Sequence, residues 1–266
     1  MKKMNELRIL CAIGLLLVGL ASVALATTDP SDAVVIERVF NDSFASTLTV
    51  NNSYPSLISI DDANAGPLGW ANLHIWRFSA DGSTPQEFAN EDGCRFAADL
   101  TISGSGDGEA GLSIAPWWSG NVDGRFNVRT PDGEVAVFGG RLPFYSFTAN
   151  NGVSYVEGTT VRLEVIYRTN PEMNEAAPAT IEYIYDGISS GPLPFDEGNP
   201  AEADPHGTWG LLSPWYAGGY MQYNNMFGFA EGDNFHAVWE NITFEDLGTV
   251  VATDDASWDG VKALFR

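Results

Sequence analysis

Between Cys94 and Phe147 the sequence alternates in steps of two and is cut at short intervals by glycine-rich turns. Phe96, Ala98, Leu100 and Ile102 alternate with Arg95, Ala97, Asp99, Thr101 and Ser103, which predicts a strand with one apolar face. The next residues, GSGDGE, have no helical period and turn the chain. Leu112 and Ile114 resume the alternation and lead to Pro116-Trp117-Trp118. A second turn, NVDG, precedes Phe126 and Val128, and a third, TPDG, precedes Val135 and Val137. A segment of this kind can only become a series of antiparallel hairpins.

The flanking sequence has the same character. Ala33 to Phe40 is β-branched and apolar and predicts a first strand. Residues 41–62 read as short edge strands joined by polar loops. In WANLHIWRFS, Trp70, Asn72, His74, Trp76 and Phe78 share one face, an aromatic and polar one that is unusual for a core. Arg141 to Tyr155 continues the strands, with a hairpin turn expected at Asn151-Gly152. Val161, Leu163, Val165 and Tyr167, then Ile181, Tyr183 and Tyr185, predict a central hairpin. Residues 187–206 have no period and read as a long surface loop. Val238 to Phe244 reads as the closing strand. No stretch from 27 to 250 carries a convincing amphipathic helix, so the expected class is all-β, a sandwich or barrel in one domain.

The two ends differ from this body. Lys2, Lys3 and Arg8 precede an apolar run from Ile9 to Val23 and a small-x-small site at Ala24-Leu25-Ala26, so residues 1–26 read as an export signal. The run is short for a membrane span, and the expected location is secreted or cell-surface. The domain is expected over 27–246, a polar linker over 247–256, and a short tail, SWDGVKALFR, over 257–266. Of 13 basic and 35 acidic residues, three and one fall in 1–26, leaving ten and 34, a net of −24. Such a surface repels nucleic acid and anionic membranes. Cys94 is the one cysteine after residue 26, so no internal disulfide forms, and its place at a strand start predicts a buried apolar role.

The hairpin VRLEVIYRT…ATIEYIYDG, the strand GEAGLSI after its glycine-rich turn, and the closing VWENITFED together resemble the concanavalin A-like lectin/glucanase superfamily, which includes laminin G-like domains. The similarity covers roughly residues 33–246. Its wording, in GEAGLxIxPWWS and GGRLPFYSFT, looks closest to secreted bacterial proteins with no activity to carry over. The resemblance implies a jelly-roll sandwich of two antiparallel sheets that binds or cleaves glycans, often with structural calcium.

Three chemistries have candidate residues. Glycoside hydrolysis needs two carboxyls about 5–9.5 Å apart. Glu182 and Asp186 are the nearest match to the glucanase pattern, with Ile184 where that pattern has Asp, and Glu109 is a loop carboxylate beside aromatic residues. Sugar stacking needs exposed rings. Trp117-Trp118 and Trp215-Tyr216 each follow a proline and precede small residues, in the matched contexts IAPWWSG and LSPWYAG. One ring of each pair is expected to be exposed, and His74 and Trp76 join this candidate surface. For calcium, the resemblance points to Asn41 or Asp42 with Glu240 or Asp246; no organic cofactor is expected. No Gly-x-Ser-x-Gly, HExxH, Walker or zinc pattern is present. The reading therefore favours a non-catalytic carbohydrate-binding or extracellular structural module. The alternative is a glycoside hydrolase or polysaccharide lyase with a carboxylate pair the sequence does not reveal.

Overall fold

A computed structural model describes residues 29–41, 45–67, 69–116, 124–139, 141–197 and 208–249. The described chain forms two antiparallel sheets packed face to face. In chain order the elements are β1 (Asp32–Asn41), β2 (Thr47–Ser53), β3 (Leu57–Ala63), β4 (Ala71–Ser79), β5 (Asp92–Gly104), β6 (Glu109–Pro116), β7 (Gly124–Arg129), β8 (Val135–Phe138) and β9 (Tyr145–Ser146). There follow α1 (Phe147–Asn151), β10 (Thr160–Arg168), β11 (Thr180–Tyr185), β12 (Ile188–Ser189), β13 (Leu193–Pro194), β14 (Trp215–Asn224) and β15 (Asn234–Thr249). The seven-stranded sheet runs β1-β4-β14-β6-β7-β8-β9. The eight-stranded sheet runs β12-β11-β10-β5-β15-β3-β2, with β13 also pairing β11. The expected all-β sandwich of two antiparallel sheets is the architecture observed. No helix among the described residues is long and apolar enough to cross a membrane.

The core forms where the apolar faces of the two sheets meet. β5 sends Phe96, Ala98, Leu100 and Ile102 inward, the set its alternation predicts. β10 and β11 add Leu163, Val165, Tyr167, Ile181, Tyr183 and Tyr185. The opposite sheet answers with Leu112, Ile114, Phe126, Val128, Trp215, Met221 and Tyr223. Cys94 is buried in the same cluster, as expected. Two side chains crowd Gly219, where an added Cβ would lie 2.3 Å from Trp76 Nε1 and 2.9 Å from Trp239 Nε1. The missing side chain is what lets two indoles meet edge to face at 6.2 Å.

Four local expectations change. The first turn of the expected hairpin series, GSGDGE, closes no hairpin: β5 belongs to the eight-stranded sheet and β6 to the seven-stranded one, so the turn crosses between sheets. The segment around Asn151-Gly152 is the end of a short helix. Ser146 Oγ caps it by accepting from Ala149 N, and Gly152 closes it at φ +68°. Asn-Gly suits a left-handed residue, and that need is shared by hairpin turns and helix ends. The face of β4 that carries Asn72, His74, Trp76 and Phe78 is its core face, since Trp76 and Phe78 join the main core while Leu73 and Ile75 form a separate cluster with Tyr220. The closing strand is also longer than its apolar stretch. β15 runs to Thr249, paired with Asp92, and passes two irregularities in its register with β5.

Candidate functional site

The outward face of the eight-stranded sheet is laced with cross-strand ion pairs. Arg95 meets Glu164 at 2.9 Å, Arg162 meets Asp99 at 3.0 Å and Arg168 meets Glu182 at 3.0 Å. These groups satisfy one another at a solvated surface. The outward face of the seven-stranded sheet is built differently.

Alternation places Tyr216, Gly218, Tyr220 and Gln222 of β14 on that outward face, because Trp215, Ala217, Met221 and Tyr223 point to the core. By the same rule β6 presents Glu109, Gly111 and Ser113, β7 presents Arg125, Asn127 and Arg129, and β4 presents Leu73, Ile75 and Arg77. Register then aligns them in rows: Leu73, Gln222, Glu109 and Arg129; Ile75, Tyr220, Gly111 and Asn127; Arg77, Gly218, Ser113 and Arg125.

Arg125 organises the site. Its Nη1 donates to Glu109 Oε1 at 2.9 Å and to Gln222 Oε1 at 2.8 Å. Its guanidinium lies 4.8 Å from the centre of the Tyr220 ring, a cation–π contact. Tyr220 in turn donates its hydroxyl to Asn127 Oδ1 at 2.7 Å. Burial pushes the Glu109 carboxyl above its ordinary value, although the charges of Arg125 and Arg129 pull the other way. Glu109 is thus a buried strand carboxyl, not a loop carboxylate. Ser113 Oγ is buried and has no hydrogen-bond partner among the described residues, and the buried Asn127 amide acts on the Glu109 carboxyl beside it. A buried polar group left unmet costs about 1–3 kcal/mol. At the far end, Tyr216 donates to Glu87 at 2.8 Å, and burial, followed by that bond, raises its pKa to about 12.

A second polar knot lies between the sheets. Asp62 Oδ2 accepts from Asn72 Nδ2 at 3.0 Å, from Tyr223 OH at 2.9 Å and from His74 Nε2 at 2.8 Å. His74 Nδ1 accepts the backbone N–H of Arg38 at 2.9 Å, so the ring hydrogen sits on Nε2 and the imidazole is neutral. Burial raises the Asp62 carboxyl, but the hydrogen bonds from His74 and Asn72 outweigh it and hold it below its ordinary value. Asp62, Asn72 and His74 are all fully buried, so the knot has no contact with solvent.

The residues singled out from the sequence are scattered. His74 and Trp76 face the core at zero exposure, and neither offers a surface to a ligand. Trp215 and Tyr216 are buried as well, so the exposed ring expected in that pair is absent. Two causes are visible. Strand pairing does not stop at the proline, since Trp215 is in register with Pro116. Phe88 then bridges to Trp215 and stacks on it at 4.5 Å, while Trp215 Nε1 donates to Ala89 O at 2.7 Å. Trp117 and Trp118 lie outside the described residues. Glu182 belongs to the ion-pair lattice of the other sheet, and bonds from Ser189 and Arg168 hold its carboxyl below the ordinary value. Asp186 is a turn residue at φ +46° followed by Gly187 at φ +82°, which explains its position without catalysis. Glu240 and Asp246, the alternative calcium ligands, both lie on β15, and Asp42 lies outside the described residues. No group of three or more metal-ligating side chains occurs among the described residues.

Sequence reasoning missed Arg77, Ser113, Arg125, Asn127, Tyr220 and Gln222. The signal was present in WYAGGYMQYN, where alternate positions of an apolar strand are Tyr, Gly, Tyr, Gln and Asn. It becomes a site only when the register of β6, β7 and β14 is known.

No protein-family model matches the chain, and no curated protein matches it. Among solved structures it is similar to the alginate lyase AlgAT5 of polysaccharide lyase family 7. The identity is 12% over 83% of this chain and 93% of that one, with a TM-score of 0.46. It is similar to the alginate lyase vAL-1 from Chlorella virus at 13% identity over 76% and 89%, with a TM-score of 0.42. It is also similar to arcelin-5, a lectin-like defense protein from Phaseolus vulgaris, at 11% identity over 82% and 100%, with a TM-score of 0.35. At these identities the likeness is one of fold alone.

Proposed function

We propose that the chain is a carbohydrate-binding β-sandwich that acts outside the cell and holds a glycan on the outward face of its seven-stranded sheet. The observation that carries this reading is the buried, unpartnered Ser113 Oγ beside the prearranged Arg125–Glu109–Gln222 cluster. Sugar hydroxyls and carboxylates are suited to such groups, because both accept from a hydroxyl or guanidinium and the hydroxyls also donate to a carboxyl. The basic and apolar start at residues 1–26 supports export.

A second reading is a polysaccharide lyase, and Glu109 favours it. A carboxyl whose pKa burial raises, bound directly to an arginine, is the kind of group that moves a proton during elimination. Hydrolysis has less support. Asp132 and Glu134 are held by Arg129, and Glu87 binds Tyr216, whose register partner Ala115 is six residues from Glu109 along β6. That is roughly 20 Å at ~3.3 Å per residue, beyond the ~9.5 Å upper limit for an inverting pair.

The test is retention of the exported protein on a panel of neutral and uronate-containing polysaccharides, with product release followed in parallel. Arg125→Ala should reduce retention by about tenfold or more, as expected when a charged hydrogen-bonding group is lost, and leave the melting temperature within a few degrees. Binding without product supports the leading reading, and unsaturated sugar ends supports the lyase. If the wild type retains none of the panel, both fail.

A further inference from the structure

β1, at the edge of the seven-stranded sheet, pairs with β4 through a break in register. Ile36 stands opposite Ile75 and Phe40 opposite Leu73, so Glu37, Arg38 and Val39 face the single residue His74. A bulge of this kind leaves backbone groups outside the ladder. One of them, the N–H of Arg38, donates to His74 Nδ1 at 2.9 Å. Arg38 holds a left-handed conformation at φ +54°, which carries strain in a residue with a side chain. Its guanidinium is engaged elsewhere, with Nη1 donating to Ser46 Oγ at 2.6 Å and Nη2 to Ser46 O at 2.9 Å.

Both ring nitrogens of His74 are committed. Nε2 donates its hydrogen to Asp62 at 2.8 Å, and Nδ1 is the acceptor for Arg38. The titratable and charged groups around the ring are Asp62 from β3, Tyr223 from β14, and Glu37 and Arg38 from β1. Asp62 is the charged side chain in contact with the ring, and its carboxylate favours an imidazolium. Burial, followed by Asp62, raises the Tyr223 phenol, which stays neutral across the range in which histidines titrate. The register neighbour of His74 on β14 is the apolar Met221.

We propose that His74 is a pH-sensitive latch on β1: the neutral ring holds the bulge against β4, and the imidazolium lets it go. A proton from solvent adds to Nδ1, which then becomes a second donor facing the N–H of Arg38, and two donors cannot bond. Asp62 keeps the ring, because its bond to Nε2 becomes charged on both sides and so stronger. The strained partner on the edge strand is the one that yields. Opening of an edge bulge is local, so the rest of the sandwich stays folded. Ile36, beside the bulge, packs on Leu73, Ile75 and Tyr220, so the release ends next to the ring that Arg125 covers.

Nitrogen-15 NMR of the whole chain from about pH 8 to about pH 5 tests this. His74 Nδ1 should pass from acceptor to protonated. With the same midpoint, the Arg38 amide should lose protection against hydrogen exchange by about tenfold or more. Protection at Leu163 and Val165 of β10 should hold. His74→Gln supplies a side chain that does not titrate, and its amide can accept from Arg38 and donate to Asp62, so the Arg38 amide should stay protected throughout. A ring that stays neutral down to about pH 5 overturns the proposal. So does a His74 that protonates while Arg38 remains protected, or a glutamine variant that loses protection as the wild type does. Should that variant not fold, the wild-type titration decides alone.

Discussion

Asp62 occupies a position where β3 otherwise presents isoleucine to the core, after Ile58 and Ile60. A carboxylate there is tolerable only because three donors converge on one of its oxygens. Removing it strands those donors without solvent. Asp62→Ala should therefore lower stability by about 3 kcal/mol or more, measured by urea unfolding at neutral pH. The pH dependence has a definite sign. Its folded pKa lies below the ordinary value, so the folded state binds the proton less tightly than the unfolded chain. The stabilisation is complete above the unfolded carboxylate value, about 3.9, and is lost as pH falls through the lower folded value. Asp62→Ala should flatten that acid limb. An unchanged limb would mean that other carboxylates set it. None of this was legible in the sequence, where Asp61-Asp62 resembles a solvated pair. Only alternation counted from Ile58 places one of the two inside.

At the scale of the element, β14 shows where sequence reading succeeds and where it stops. The paired strands of β5, β10 and β11 are legible because apolar and polar positions alternate cleanly. β14 is buried along its whole length, so inward and outward residues are both apolar or aromatic and the period fades. Its two faces do different things. The inward face admits two indoles at Gly219, and the outward face carries Tyr220 and Gln222 into the candidate site. Gly219→Ala should cost about 1–3 kcal/mol by forcing Trp76 or Trp239 from its position. The loss should appear in thermal unfolding and in a changed tryptophan fluorescence spectrum. A neutral substitution would show that the indoles can move apart at little cost. The matched Pro-Trp wording misled for a related reason. Proline at Pro116 ends a strand without ending its pairing, and Phe88, distant in sequence, covers Trp215. A cover brought in by tertiary structure leaves no local trace.

Across the whole molecule, the sandwich separates its charges. Arginines on the outward face of the eight-stranded sheet are matched to carboxylates, and Arg125 and Arg129 on the other sheet also have acidic partners. Local pairing therefore uses up much of the positive charge, and the remaining acidic excess repels itself over the surface. Exposed ion pairs contribute only about 0–1 kcal/mol each, so their weakening by salt is a small loss. The excess acts over longer distances, where screening is strongest: the Debye length falls from about 30 Å at 0.01 M to about 3 Å at 1 M salt. Repulsion in the compact state should thus be relieved more than attraction is lost. The melting temperature should rise by several degrees as NaCl is raised through this range. A fall with salt would show that the paired arginines, and not the acidic excess, dominate the electrostatics of the fold.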